Sequence, residues 1–537
     1  MELEVTFFTW FMAVLPILAL ILLMIKFQWG ATEAAPVALI ITLITGMTVY
    51  KGDLYLIAGE AAKGVWTAIP ILLIIWTAIL LYQVGDQAKA FQVIKNGMSK
   101  LLPNELLLVL AMGWIFESFL QGITGFGVPV AVGAPLLMGI GVRPMYAVII
   151  PLLGQAWGNT FGTLGAAWDA LASTAGLSVG TPDYYLAALW AAAILLVWDL
   201  FTGLIICWFY GKGEAIRKGL PAVLIMTIIQ GGGELVLSQV NTTLSNFIPA
   251  VISLVVLLLL GRMKMYREEW SIKDSSIMIR GEEGTAEEDY PRDMTLVQAF
   301  VPYFLLSVLT IIVLTVKPIT NFLGQFTIGF SFPETSTAYG IVNEASTNYS
   351  PFAPFTHASM FLLIAAVIGL IYYKSHGWIP QGGTKTAFAK SIQMTMPSGM
   401  AVVGLVIMSK IMGGTGQTVV MAQGIAAVLG NKYLILAPFI GLLGTFMTGS
   451  NLSSNILFGD FQSSTAQLLG VNAPPILGAQ TAGGAIGAAV SPSKIILGTT
   501  TAGILGKEGE VLKTMLLLTM PAAIAIGLVL FGILVIA

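Results

Sequence analysis

The sequence predicts an all-α polytopic membrane protein: two inverted-topology repeats with about 12 transmembrane helices, plus two re-entrant helical hairpins and two broken helices. Three observations predict it. Hydrophobic residues make up 56% of the 537 and charged ones only 10%, more apolar surface than a soluble fold can hide. Apolar segments near the roughly 20 residues that span a bilayer recur along the whole chain. Lys and Arg gather in alternate loops, as the cytoplasmic side of a membrane protein does.

Taken in order, crossings are read at 5–25, 31–50, 64–84, 144–165, 184–210, 221–239, 244–261, 296–316, 357–373, 388–411, 474–505 and 513–536. The stretches 105–141 and 432–470 are each long enough for a helix pair, and each has a Gly/Ser/Asn-rich middle. They read as hairpins that enter the membrane and return to the same side. With the N-terminus outside, the loops holding Lys26, Lys89 to Lys100, Arg143, Lys212 to Lys218 and Arg262 to Arg292 fall inside. Lys51, Lys63, Lys317 and Lys432 fall outside. The acidic start, MELEVTFF, has no basic n-region and reads as part of a retained helix.

This assignment divides the chain into repeat 1 (1–210, with hairpin 105–141 and broken helix 144–165), a connection (211–295) and repeat 2 (296–537, with hairpin 432–470 and broken helix 474–505). Each hairpin follows an amphipathic stretch, AKAFQVIKNGMSKLL or TVVMAQGIAAVLG, and SFLQG (118–122) mirrors TFMTG (445–449). Antiparallel repeats with interrupted helices are a transporter plan. The connection carries two helices and a hydrophilic loop, 262–293, which reads as a plain cytoplasmic linker.

The chemistry gathers at the interruptions. Non-helical backbone at membrane depth is tolerated only beside protein or a water-filled cavity, and a helix starting there turns free N–H groups toward an anion. The first hairpin offers Gln121, Gly122, Thr124, Gly125, Phe126 and Gly127; the second offers Gly449, Ser450, Asn451, Ser453, Ser454 and Asn455. The broken crossings add Gln155, Asn159 and Thr160, then Gln480, Thr481, Ser491, Ser493 and Lys494. Small polar residues also serve plain helix packing. Four such segments in mirrored positions favour a shared polar pocket instead.

Charges inside a membrane are costly and mark function. Glu117, one turn before Gln121, is the first candidate for a proton carrier, because a carboxyl in apolar surroundings can be held neutral; Asp460 is the second. Lys494 pairs either with a substrate carboxylate or with Asp460. Asp199 interrupts an apolar run, Glu234 reads as near an outer end and solvated, Asp169 as in the outer part of a crossing or its loop, and Lys410 as snorkelling from a helix end. With Cys207 as the single cysteine and only His357 and His376 as imidazoles, no metal centre or cofactor is expected, and a membrane enzyme lacks its nucleophile–base pair. A passive channel would not need mirrored hairpins. The near-balanced charge of −2 argues against nucleic acid as a partner.

At GITGFGVPVAVGAPLL (122–137), TGSNLSSNILF (448–458), TAQLLGV (465–471), TAGGAIGAAVSPSKI (481–495) and AGILGKEGE (502–510), the sequence resembles the L-lactate permease family of bacterial 2-hydroxymonocarboxylate transporters. The order and spacing of these segments fit along nearly the whole chain. The resemblance implies a multi-pass protein of the bacterial or archaeal cytoplasmic membrane that takes up lactate or glycolate with a proton. Its partners would be the small carboxylate and the lipid bilayer, with a homodimer as an option. Sodium coupling and a dicarboxylate or other organic acid remain the alternatives, because the chain departs from the family pattern. Gln121 stands where relatives carry an acid in EGxxGFG, and Lys494 where they carry an uncharged polar residue.

Overall fold

A computed structural model describes residues 4–27, 29–125, 127–280 and 290–536. The chain opens with α1 (Phe7–Ile25), α2 (Ala31–Thr48) and α3 (Leu54–Gln87). Asp53 caps α3 by accepting the Leu56 N–H at 2.7 Å, one of the helix's orphan donors. The amphipathic α4 (Ala90–Leu101) follows and buries Phe91, Ile94 and Met98 on one face.

The first hairpin joins α5 (Glu105–Ile123), with a π turn at Ala111–Ile115, to α6 (Val128–Met138). It folds back on itself, so that Gly133 lies against Glu117 and Gly113 against Leu137. A broken crossing comes next, α7 (Pro144–Ala156) and α8 (Gly162–Ala175), parted by a 3-10 turn at Trp157–Asn159. α9 (Pro182–Thr227) bends at Gly211 and Lys212, which separates the two crossings read at 184–210 and 221–239. A π turn, Ile228–Gly232, leads into α10 (Gly233–Leu237), and α11 (Phe247–Leu260) runs back.

The later half begins with α12 (Val301–Thr315) and α13 (Lys317–Leu323), which are bent by 86° to each other. Then come α14 (Ala358–Ser375), α15 (Gly383–Thr415) and the short α16 (Gln417–Leu429). The second hairpin pairs α17 (Tyr433–Thr448) with α18 (Asn451–Leu469). The second broken crossing is α19 (Ala473–Gly487) and α20 (Pro492–Thr501), and α21 (Glu508–Phe531) closes the bundle. Among the described residues, nine helices are long and apolar enough to cross a membrane, ten if the bent pair α12–α13 counts as one span. The sequence reading of about 12 differs because it splits α9 in two and counts the broken crossings, α11 and the span at 296–316, while leaving out the hairpin arms that pass the length test.

The architecture is not purely helical. Between α13 and α14 lie β1 (Ile328–Phe332), β2 (Thr335–Ser336), β3 (Val342–Asn343) and β4 (Ser346–Phe352), with β1 antiparallel to β4 and β2 to β3. Aromatic and β-branched residues alternating with polar ones, plus Pro333 and Gly340 at bends, suit strands rather than a loop. Trp66 of α3 holds this small sheet: its indole N–H donates to the Tyr349 and Ser350 carbonyls at 3.1 Å, and its ring meets Phe330 edge-on at 4.7 Å.

Helices meet through glycines that bring backbone onto backbone, the usual substitute for hydrophobic drive inside a bilayer. A Cβ on Gly154 of α7 would sit 2.1 Å from the Gly113 carbonyl of α5. In the second half, a Cβ on Gly483 of α19 would sit 2.1 Å from the Pro438 carbonyl, and one on Gly441 of α17 2.0 Å from that of Gln480.

The loop after α11 is more than a plain linker in its described part. Trp270 bridges to Asn104 and Met278 to Val142, so the segment straps both feet of the first hairpin. Arg280 grips Glu105 through two bonds of 2.7 Å, and Glu105 also accepts from the Tyr210 hydroxyl. That carboxylate holds the Arg280 guanidinium above its ordinary pKa. Arg280→Ala should therefore free the strap while moving Tm little, since a partly exposed pair is worth under about 1 kcal/mol. Trypsin cleavage at Arg262, Lys264 and Arg267 is the measurement, and an unchanged cleavage rate would contradict the strap.

Candidate functional site

Both hairpins turn back deep inside the bundle, and their tips meet the two breaks. In the first tip, Gly125 (φ +59) and Gly127 (φ +86) take left-handed backbone that other residues adopt at a cost. Gly127 then starts α6, with Pro129 in its first turn, where the missing N–H costs nothing. In the second tip, Gly449 (φ +77) ends α17, and Ser450 caps α18 by accepting the Ser453 N–H. Phe126 lies outside the described residues.

Between these tips is a chamber of about 20 Å³. Its walls include Gln121, Asn159, Gly162, Thr163, Gly449, Ser450, Asn451 and Lys494. On one side a cavity of about 490 Å³ takes up Gly449, Ser450 and Lys494 again, with Gly127, Ser453 and Ser493. This cavity opens toward Gly30 at the start of α2. On the other side, Ala166 is shared with a cavity of about 540 Å³ beneath β4, lined by Asp169, Tyr349 and His357 among others. The two cavities sit at opposite ends of the bundle, because Lys51, just past the far end of α2, accepts the Ala338 N–H of the β segment. His357 stands at the cap of α14, its Nδ1 2.9 Å from the Ser359 hydroxyl.

Lys494 dominates the chamber electrostatically. Only 4% of it is exposed, and its Nζ donates to Asn159 Oδ1 at 3.2 Å. Among the described residues no carboxylate pairs with it. Asp460 instead faces Thr418, Ser464 and Lys410 on the other side of α18, so the Lys494–Asp460 pairing is corrected. Lys410 does not simply snorkel either, for its Nζ sits 5.8 Å over the Tyr349 ring. A lysine amine held by one neutral amide in low dielectric keeps its charge most easily when an anion lies beside it.

Behind the chamber, a web of amides and hydroxyls ties the two breaks together. The Thr160 and Thr481 hydroxyls lie 3.1 Å apart, and Asn451 Nδ2 donates to the Thr481 carbonyl at 3.1 Å. Asn455 Nδ2 donates to Thr481 Oγ1 at 2.8 Å and to the Ala167 carbonyl at 2.9 Å. Gln480 bonds to Ser454 and Gln462, within the second half. Thr124 bonds to its own helix, Ser491 bonds to Ser493, and Gly122 and Gly125 pack against Phe247 and Thr163. Gln155 is buried with both amide atoms unpartnered. Of the residues read from sequence as pocket-forming, the structure therefore brings Gln121, Gly127, Asn159, Gly449, Ser450, Asn451, Ser453, Ser493 and Lys494 to the cavities. Thr160, Thr481 and Asn455 stand behind them.

Glu117 is off the chamber. It is fully buried between the two arms of its own hairpin, with neither carboxyl oxygen partnered. Glu234 is also fully buried rather than solvated, because the loop before α11 folds over it and Asn246 donates to its carboxyl at 3.0 Å.

Sequence reading missed Thr163. Thr163 (φ +50), Leu164 (φ +51) and Gly165 (φ +84) form three successive left-handed residues at the start of α8, with Thr163 Oγ1 against Gly125. Such backbone costs about 1–2 kcal/mol per non-glycine residue, and strain of this kind gathers at functional sites. Thr32, Pro397 and Ser398, which line the cavity near Gly30, were missed as well. A proline inside the long α15 was the available signal.

The profile of the L-lactate permease family matches residues 9–537. The L-lactate permease of Halalkalibacterium halodurans is 24% identical over 506 residues, covering 94% of this chain and 92% of the relative. Glycolate permease GlcA of Escherichia coli is 25% identical, covering 93% and 91%. Among solved structures, the YdaH transporter of Alcanivorax borkumensis aligns over 89% of this chain and 86% of its own, at 13% identity and a TM-score of 0.44, below the level at which a shared topology follows. A family match over nearly the full length, on a helical bundle whose broken segments converge on one buried lysine, decides membership: this multi-pass membrane protein belongs to the L-lactate permease family.

Proposed function

We propose that the protein carries L-lactate, or a related small 2-hydroxymonocarboxylate such as glycolate, across the cytoplasmic membrane in symport with a proton. The observation that carries this is Lys494, buried with no carboxylate partner among the described residues, in a chamber between two vestibules. A monocarboxylate supplies the missing charge, and Asn451, Gln121 and the Ser450 cap supply donors for its oxygens and hydroxyl. The chamber has room for about one water. Loading a three-carbon acid therefore requires the hairpin tips to part. In this reading the chain halves, 1–210 and 296–537, are oppositely oriented repeats. Their support is the matched order of amphipathic helix, hairpin and broken crossing, with glycine contacts between hairpin arm and broken crossing in each.

Purified protein in proteoliposomes should accumulate radiolabelled L-lactate when an inward proton gradient is the only driving force. Glycolate should compete, and dicarboxylates should compete poorly. Accumulation driven by a sodium gradient alone would replace the proton with sodium, and equilibration without accumulation would favour a passive pathway. Glu117 is assigned the coupling proton. Glu117→Gln should abolish accumulation while leaving lactate–lactate exchange, and full proton-driven uptake by this variant would remove Glu117 from that role.

A further inference from the structure

Behind the first hairpin, away from the chamber, lies a second group of buried acids. Asp199 of α9 is fully buried; its Oδ1 accepts the Trp114 indole N–H at 2.7 Å, and its Oδ2 has no partner. Glu234 of α10, equally buried, accepts from Asn246 through Oε2, while its Oε1 has no partner. Gly231 of the intervening π turn, three residues before Glu234, packs on Leu196, three residues before Asp199, and Glu234 feels the Asp199 charge. π turns of this kind recur at functional positions.

Nothing nearby neutralises them. The segments packed around the pair, α5, α7, α11 and α19, contain no Lys, Arg or His. The acids that α5 adds are Glu105, tied to Arg280 at the hairpin's foot, and Glu117, which faces Gly133. Two uncompensated carboxylates this close, sealed from water, would cost several kcal/mol by desolvation alone. A carboxylic acid that accepts an N–H on one oxygen and leaves the other unpaired matches what is seen at both.

We propose that Asp199 and Glu234 form a second proton-binding pair, distinct from Glu117, whose occupancy is passed to the substrate chamber through Asn246. The path is short. Asn246 is wedged between the two segments that reach the chamber: a Cβ on Gly122 would lie 3.2 Å from its Oδ1, and one on Gly158 2.8 Å from its Nδ2. Gln121 and Asn159, the next residue in each case, line the chamber. Losing a proton from the pair changes what Asn246 must bond to, and so shifts the hairpin tip against the break. The coupling half of this proposal rests on the proton-symport reading; the protonation half does not.

Infrared spectroscopy of the purified protein in lipid vesicles at neutral pH tests the protonation without any substrate. The difference spectra wild type minus Asp199→Asn and wild type minus Glu234→Gln should each show loss of carbonyl absorption from a protonated carboxylic acid, at least one of them strongly. Both variants are near-isosteric; should one fail to fold, the other still decides. No loss in either overturns the proposal. So does a band that vanishes when sodium chloride replaces choline chloride, which would make the site a sodium site. In proteoliposomes, the protons entering per L-lactate should fall in both variants while lactate–lactate exchange persists. An unchanged ratio would overturn the coupling, and absence of any lactate transport in wild type would remove the symport reading while leaving the infrared result standing.

Discussion

Lys494→Ala is expected to abolish concentrative uptake and to remove the stabilisation of the protein by L-lactate in a thermal-shift assay. Truncating one partner of a buried, hydrogen-bonded charge pair costs about 2–5 kcal/mol, which weakens binding roughly thirtyfold or more. The loss belongs to the loaded state. Without substrate, Lys494 has only Asn159 as a partner among the described residues, so alanine removes no ion pair, and the empty variant should melt no lower than wild type. Unchanged lactate stabilisation in Lys494→Ala would remove the anion from this chamber. Lys494→Arg should keep part of the binding, since guanidinium retains the charge in a different shape.

Gly441→Ala is expected to leave little folded protein. The added Cβ would stand 2.0 Å from the Gln480 carbonyl oxygen, a backbone atom that no rotamer change can move. α17 must then lift away from α19, which strains the Ser454–Gly441 hydrogen bond of 2.8 Å and the short contact between Tyr433 and Gln462. Overpacking of this kind costs about 1–3 kcal/mol, and hydrogen bonds left unmade add to it. Monodispersity in size-exclusion chromatography and Tm are the measurements. Gly176→Ala, whose Cβ meets nothing within 4 Å, strains only its own backbone (φ +73) and should cost far less. Equal losses in the two variants would show that the α17–α19 contact does not govern folding.

The interruptions were legible in sequence because Gly, Ser and Asn clusters inside apolar runs have few other uses there. Both hairpin turns and both breaks fall within the segments that the sequence singled out. Lys494 was legible for the same reason, as a charge where the solvent gives none. Its partner was not. Asn159 lies 335 positions away, and nothing in local spacing could prefer it to Asp460. The left-handed turn at Thr163 and Leu164 was hidden because neither residue type signals that backbone, which tertiary packing against Gly125 imposes. β2 and β3, two residues each, carry too little periodicity to compete with helix, while the longer β1 and β4 lie between crossings, outside the apolar runs that guided the reading. Glu234 looked solvated because its burial comes from the loop at Ser238–Asn246 folding back over it.

The thinness of the seal between the two vestibules has an electrical consequence. Water in cavities of about 540 and 490 Å³ carries the bulk potential inward from each face, so most of the membrane voltage drops across the few residues around Lys494. One elementary charge moved through that drop exchanges about 2.3 kcal/mol per 100 mV. An anion crossing with one proton exchanges almost nothing, so each further proton, such as one carried by Asp199 and Glu234, would make the cycle voltage-sensitive.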